Sequence, residues 1–133
     1  VKINYITDGD VSGAISVGQK AKSNDIYLGI GGAPEGVLAA AALKCLGCQM
    51  QTRLLFQNEE EKDRAKKLGI NDIKKKYNID DMVKGDVIFC ASGVTDGDLV
   101  EGIKDLGDFF TVETLVLHES SNTNKILKNR IKK

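Results

Sequence analysis

Apolar and polar residues alternate at the start of the chain, where Val1, Ile3 and Tyr5 are separated by Lys2 and Asn4 and followed by Ile6. A period of two predicts a β-strand over residues 1–6. Val11, Ala14, Ile15 and Val17, mixed with serine and glycine, predict a helix of weak propensity over residues 10–22, ended by Ser23-Asn24-Asp25. Residues 26–30 read as a short apolar strand. Residues 35–46 are nearly apolar all round, which predicts a largely buried helix, and Gly47 is placed to end it. A further strand is expected over residues 48–56. Asn58 followed three positions later by Glu61 has the form of a capping box. The helix it opens carries Glu59, Glu60 and Glu61 at its start and Lys66 and Lys67 at its end, an order that complements the helix dipole, so the charges read as a solvated face. Gly69 is its expected stop.

Residues 70–85 form a polar connection with a short helix from Asp80 to Lys84. Asp86-Val87-Ile88-Phe89-Cys90-Ala91 predicts a buried strand, Leu99 to Leu106 a short helix, and residues 109–117 a last strand. The end, with Lys125, Lys128, Arg130, Lys132 and Lys133, reads as a solvated or frayed basic tail, residues 118–133, appended to one domain over residues 1–117. Strands alternating with helices imply an α/β fold: a three-layer sandwich with a mainly parallel β-sheet of about five strands and helices on both faces. Ligands of such sheets bind beyond the carboxyl ends of the strands. Three turns are expected to converge there: Asp8-Gly9-Asp10, the stretch from Gly31 to Gly36, and the stretch from Gly93 to Asp98.

Composition narrows the function. With 133 residues the chain is one ordinary domain, and its 41% hydrophobic and 29% charged residues are normal for a globular protein. Nineteen basic residues balance nineteen acidic ones, which argues against nucleic acid or an anionic membrane as a partner. No run is long enough for a membrane span, and the start has no leader-like character; a cytoplasmic location is expected. The abrupt opening at Val1 suggests a piece of a longer chain. Cys45 and Cys48 have a Cys-x-x-Cys spacing, but only Cys90 and His118 remain to complete a metal site, and the pair falls at a helix end. Reduced structural thiols are the simpler reading.

The organising stretch is Leu28-Gly29-Ile30-Gly31-Gly32-Ala33-Pro34-Glu35-Gly36. Its glycines let the backbone approach a ligand, Pro34 suits the first turn of a helix, and the helix N-terminus can receive an anion. A dinucleotide fingerprint fails, because Pro34 takes the third glycine position and no acidic residue follows about twenty positions on. No Gly-Lys-Ser/Thr of a nucleotide-binding loop follows, and no Ser-His-Asp constellation is visible. A glutamate beside an anion site would repel phosphate unless a divalent cation lay between them. Mg²⁺ or Mn²⁺ bridging Glu35 and a substrate phosphate would give it a role, whereas dipole preference at a helix start would explain it without one. Asp8, Asp10, Asp96 and Asp98 fit sugar-hydroxyl contacts and turn or cap positions equally well.

At these residues the chain resembles the class II fructose-1,6-bisphosphatases and their relatives that also act on sedoheptulose 1,7-bisphosphate. The similarity runs through Asp8-Gly9-Asp10, Gly31-Gly32-Ala33-Pro34-Glu35-Gly36-Val37, Ala40-Ala41-Ala42-Leu43-Lys44, Asn58-Glu59-Glu60-Glu61, Lys67-Leu68-Gly69-Ile70, Val83-Lys84-Gly85 and Gly93-Val94-Thr95-Asp96-Gly97-Asp98, nearly to Leu117. It implies the carboxy-terminal half of a two-lobed sugar phosphatase. Such an enzyme hydrolyses the 1-phosphate of fructose 1,6-bisphosphate to fructose 6-phosphate in gluconeogenesis with Mn²⁺ or Mg²⁺. It further implies that Glu35 is a metal ligand and that Asp8, Gly9, Asp10 and Gly32 contact substrate, while Asp96 and Asp98 receive no role. The family's other metal carboxylates lie in an amino-terminal half outside these residues, so this chain alone is expected to be inactive and to need that half as partner. A homo-oligomer is expected. The alternatives are a non-catalytic sugar-phosphate-binding module and a purely structural domain.

Overall fold

A computed structural model describes residues 1–19 and 24–133. The elements in order are α1 (Asp10–Ser16), α2 (Ala33–Cys45), β1 (Gln51–Arg53), α3 (Glu59–Lys67), β2 (Lys76–Asn78), α4 (Ile79–Met82), β3 (Ile88–Ser92), β4 (Lys104–Asp105), β5 (Phe109–His118) and β6 (Thr123–Lys132).

The helices follow local chemistry. Pro34 lies at the start of α2 with Glu35 in its first turn, as the sequence leads one to expect. At its other end Gly47 takes φ 67°; its N–H reaches the Lys44 carbonyl at 3.1 Å, and the Cys48 N–H reaches Leu43 at 3.0 Å. This is the double closure that a left-handed glycine permits. Asn58 caps α3 by accepting from the Glu61 N–H at 2.9 Å, while the Glu61 carboxylate reaches back to the Gln57 N–H at 2.8 Å. Helix α1 is shorter than expected, and the remainder of that expectation over residues 20–23 lies outside the described residues.

The sheet overturns the expected architecture. Every strand pairing is antiparallel: β1 with β2, and β5 with β3, β4 and β6. Among the described residues there is no mainly parallel five-stranded sheet and no three-layer sandwich built on one. The physical reason lies in two places. First, two segments expected as strands, residues 1–6 and 26–30, carry no strand pairing among the described residues; Tyr5 and Leu28 are each 89% exposed. A parallel strand needs neighbours and cover on both faces, and these have neither. Second, β5 and β6 are joined by a four-residue turn, Glu119 to Asn122, and pair along their whole length from Phe109 opposite Lys132 to His118 opposite Thr123. Short turns join antiparallel strands and never parallel ones.

The basic tail is therefore a ten-residue strand, not a frayed end. Glu113 sits opposite Lys128 in the ladder and accepts from it at 3.2 Å, and Arg130 stacks 3.9 Å from the Phe109 ring centre. Its lysines fit an edge strand, where charge discourages further pairing. Strand β3 alternates exposed and buried residues, with Ile88 outward and Phe89 inward, so it is covered on one face only. The helix expected over Leu99 to Leu106 is absent. Asp96 instead closes that loop, accepting from the Gly102 N–H at 2.9 Å and from Lys104 at 2.5 and 2.6 Å. These contacts, the Lys104 ammonium first, hold the Asp96 carboxyl below its ordinary value.

The core lies where α1 and α2 cover one face of the β3–β5 sheet. Ile15, Ala42, Cys45, Phe89, Val100, Leu115 and Leu117 form one cluster. Ala14, Ala39, Ala40, Leu43 and Ile79 form a second, with Tyr27 against it. The all-round apolar α2 is not buried all round: Val37 and Leu38 remain exposed. Cys45, Cys48 and Cys90 are free thiols, and burial raises that of Cys45. Among the described residues no helix is long and apolar enough to cross a membrane. Leu117 is 1% exposed at the centre of the sheet. Replacing it with alanine should cost about 2–5 kcal/mol of stability in denaturant unfolding.

Candidate functional site

The site starts from a tight turn. Gly9 takes φ 81°, ψ 48° as the residue before α1, a left-handed conformation that glycine adopts freely. Asp8 braces the turn by accepting from the Gly9 N–H at 2.7 Å, and Ser12 donates to the Gly9 carbonyl at 2.8 Å. Asp10 then opens the helix, where a carboxylate suits the dipole.

The glycine stretch meets this turn through space. A Cβ on Gly31 would stand 2.5 Å from Asp10 Oδ2, and a Cβ on Gly32 would collide with Glu35 Oε2. Two consecutive glycines thus each seat one carboxylate, Asp10 from α1 and Glu35 from the first turn of α2. The need for glycine here is close approach rather than an unusual φ.

A cleft of about 500 Å³ is lined by Asp8, Gly9, Asp10, Val11, Ser12, Gly32, Glu35, Phe89, Ala91 and Leu99. All five residues singled out from the sequence, Asp8, Gly9, Asp10, Gly32 and Glu35, lie on it. The third expected turn does not join them: its Asp96 and Asp98 are not among the lining residues, and only Leu99 just beyond them reaches the wall. A larger cleft of about 610 Å³ lies beyond the end of α2, walled by Lys44, Cys48, Met50, Asn78, Asp80 and Glu119 among others, and holds none of the candidate residues.

A divalent cation does not fit on these residues alone. Among the described residues no three His, Cys, Asp or Glu side chains converge as a metal site. Asp8 accepts from the Gly9 N–H and Asp10 from Tyr27 at 3.3 Å, each through one oxygen, and the two do not converge with Glu35 on one point. Hard cations require several oxygen ligands.

Two features escape sequence reasoning. Tyr27 reaches Asp10 across 17 positions, and no local pattern marks the pair. Burial, then the Asp10 charge and hydrogen bond, raise the Tyr27 hydroxyl above its ordinary value. The second is a hydrogen-bonded Ser–His–Asp group at the β5–β6 turn. Ser121 Oγ lies 2.8 Å from His118 Nδ1, and His118 Nε2 lies 2.9 Å from Asp86 Oδ2. Ser120 donates to the same aspartate from its N–H at 3.1 Å and its hydroxyl at 2.9 Å. Asp86 and His118 stand 32 residues apart, so only the fold unites them. The group lies off the cleft and ties the hairpin turn to the start of β3.

Fold and cleft together place glycines and carboxylates side by side at the N-terminus of α2. Comparison with known proteins identifies the family. The sequence profile of the family described as "Bacterial fructose-1,6-bisphosphatase, glpX-encoded" matches residues 1–131. The chain is 38% identical over 135 aligned positions to the D-fructose 1,6-bisphosphatase class 2/sedoheptulose 1,7-bisphosphatase of Synechococcus sp. (strain JA-3-3Ab), covering 92% of this chain and 39% of that protein. It is 39% identical to the fructose-1,6-bisphosphatase class 2 of Haemophilus influenzae, with 92% and 40% covered. The chain belongs to the glpX-type fructose-1,6-bisphosphatase family, as its sequence blocks imply. It spans about two fifths of the length of these relatives.

Hydrogen bonds from His118 and then Ser120 hold the Asp86 carboxyl down at about 2, from an ordinary 3.8. A depressed folded-state value means stability that is present above pH 3.8 and lost as the pH falls through about 2. Asp86→Asn should lower the thermal midpoint at neutral pH and flatten its decline between pH 4 and 2. An identical acid profile in the variant would exclude this clamp.

Proposed function

We propose that these residues form part of a divalent-metal-dependent bisphosphatase that removes the 1-phosphate of fructose 1,6-bisphosphate to leave fructose 6-phosphate. Sedoheptulose 1,7-bisphosphate is the second candidate substrate. The reading rests on family membership and on one observation: the Asp10 and Glu35 carboxylates sit over the consecutive glycines 31 and 32 at the start of α2. The first turn of a helix has backbone N–H groups without intrahelical partners, which suits phosphate oxygens. Asp8 and Asp10 suit sugar hydroxyls, which donate well to carboxylates. Glu35 would act as one ligand of a Mn²⁺ or Mg²⁺ ion whose other ligands come from the amino-terminal part of the complete polypeptide. Bound there, such an ion would neutralise phosphate charge and activate water.

In the complete polypeptide, Glu35→Ala should lower bisphosphate hydrolysis by about a hundredfold with the thermal midpoint preserved, because a surface carboxylate is lost and no core contact. An unchanged rate would remove Glu35 from the site. The 133 residues alone should show no turnover; measurable hydrolysis by them would refute the half-site reading. Micromolar binding of the bisphosphate to them without metal, read by titration calorimetry, would instead favour a binding module.

A further inference from the structure

Asp10, a candidate substrate contact, stands at the first position of the seven-residue helix α1. Its two oxygens have distinct surroundings. Oδ2 faces Gly31, and Oδ1 accepts from the Tyr27 hydroxyl at 3.3 Å. The route by which Tyr27 arrives is built from glycine. Asp10 and Gly13 are three apart on α1 and so share a face. A Cβ on Gly13 would stand 2.8 Å from Tyr27 Cε2, and a Cβ on Gly29 would strike the Tyr27 hydroxyl. The ring therefore lies along α1 in a slot that any side chain at either position would fill, and its hydroxyl emerges at the carboxylate.

We propose that Tyr27 is a positioning residue: its hydroxyl holds the Asp10 carboxylate over Gly31, so that the oxygen left free of Tyr27 faces the cleft ready for a sugar hydroxyl. This rests on Asp10 being a substrate contact, as proposed above. Tyr27 itself does not line the cleft. It acts only through Asp10. A bound, oriented acceptor loses less freedom when the substrate arrives, so the effect falls on binding rather than on the chemical step.

The test uses steady-state hydrolysis of fructose 1,6-bisphosphate by the complete polypeptide. Tyr27→Phe keeps the ring in its slot and removes only the hydroxyl. It should raise KM about three- to tenfold with kcat within about twofold of the parent. Asp10→Ala should raise KM at least as far, and adding Tyr27→Phe to it should change nothing more, because no carboxylate remains to be held. Tyr27→Leu separates packing from positioning: it should lower the thermal midpoint, and Phe at that position should restore the midpoint but not KM.

Effects of the two substitutions that multiply in the double variant would overturn the inference, as would an unchanged KM in Tyr27→Phe alongside a raised KM in Asp10→Ala. An unchanged KM in Asp10→Ala would instead overturn the substrate-contact assignment and take this inference with it. No hydrolysis by the complete parent polypeptide would overturn the bisphosphatase reading on which both stand.

Discussion

The cleft depends on how closely α1 can approach the start of α2. That approach is set by atoms that are missing: no Cβ on Gly31, against which Asp10 of α1 lies, and only methyl groups on Ala39, Ala40 and Ala42 of α2. Helices packed through small residues let their backbones come near each other, and near-contact backbones bring short side chains within reach. Asp10 lies against Gly31 and Glu35 against Gly32, so two consecutive glycines bring one carboxylate from each helix to the same cleft.

A second constraint works at the other end of the molecule. The long β5–β6 hairpin supplies the floor on which α2 rests, through Leu115 and Leu117. Its turn is held by Asp86, His118 and two serines, and its outer strand by Glu113 and Lys128. These contacts are polar and solvent-exposed, so each is modest alone. Together they keep in register a strand whose own sequence, rich in lysine and asparagine, has little drive to pair. The order of the hairpin and the geometry of the cleft are thus linked through one apolar face.

The same division explains what could be read from residues and what could not. The ends of α2 and α3 were legible, because Pro34, Gly47, Asn58 and Gly69 act within one turn of where they stand. The five candidate residues come from motifs that resemble those of a known family, and the fold brings all five to one cleft. The sheet was not legible. The period-two run over residues 1–6 and the apolar run over residues 26–30 look like strands by pattern, yet pairing is a property of two segments, and neither finds a strand partner among the described residues. Residues 123–132 looked like a tail because charge dominates their composition; they are a strand because β5 lies beside them.

By itself the sequence determined local choices: where helices start and stop, which residue types crowd the glycine turn, and the family to which the chain belongs. These are encoded over a few positions, where backbone preference and side-chain chemistry suffice. Tertiary structure alone decided the antiparallel pairing, the union of Asp86 with His118, and the contact of Tyr27 with Asp10. Asp86 and His118 stand 32 positions apart, Tyr27 and Asp10 stand 17 apart, and β3 pairs with β5 across the whole stretch between Ile88 and His118. A separation of that size carries no local energetic signature; it is settled only when packing brings the chain back upon itself.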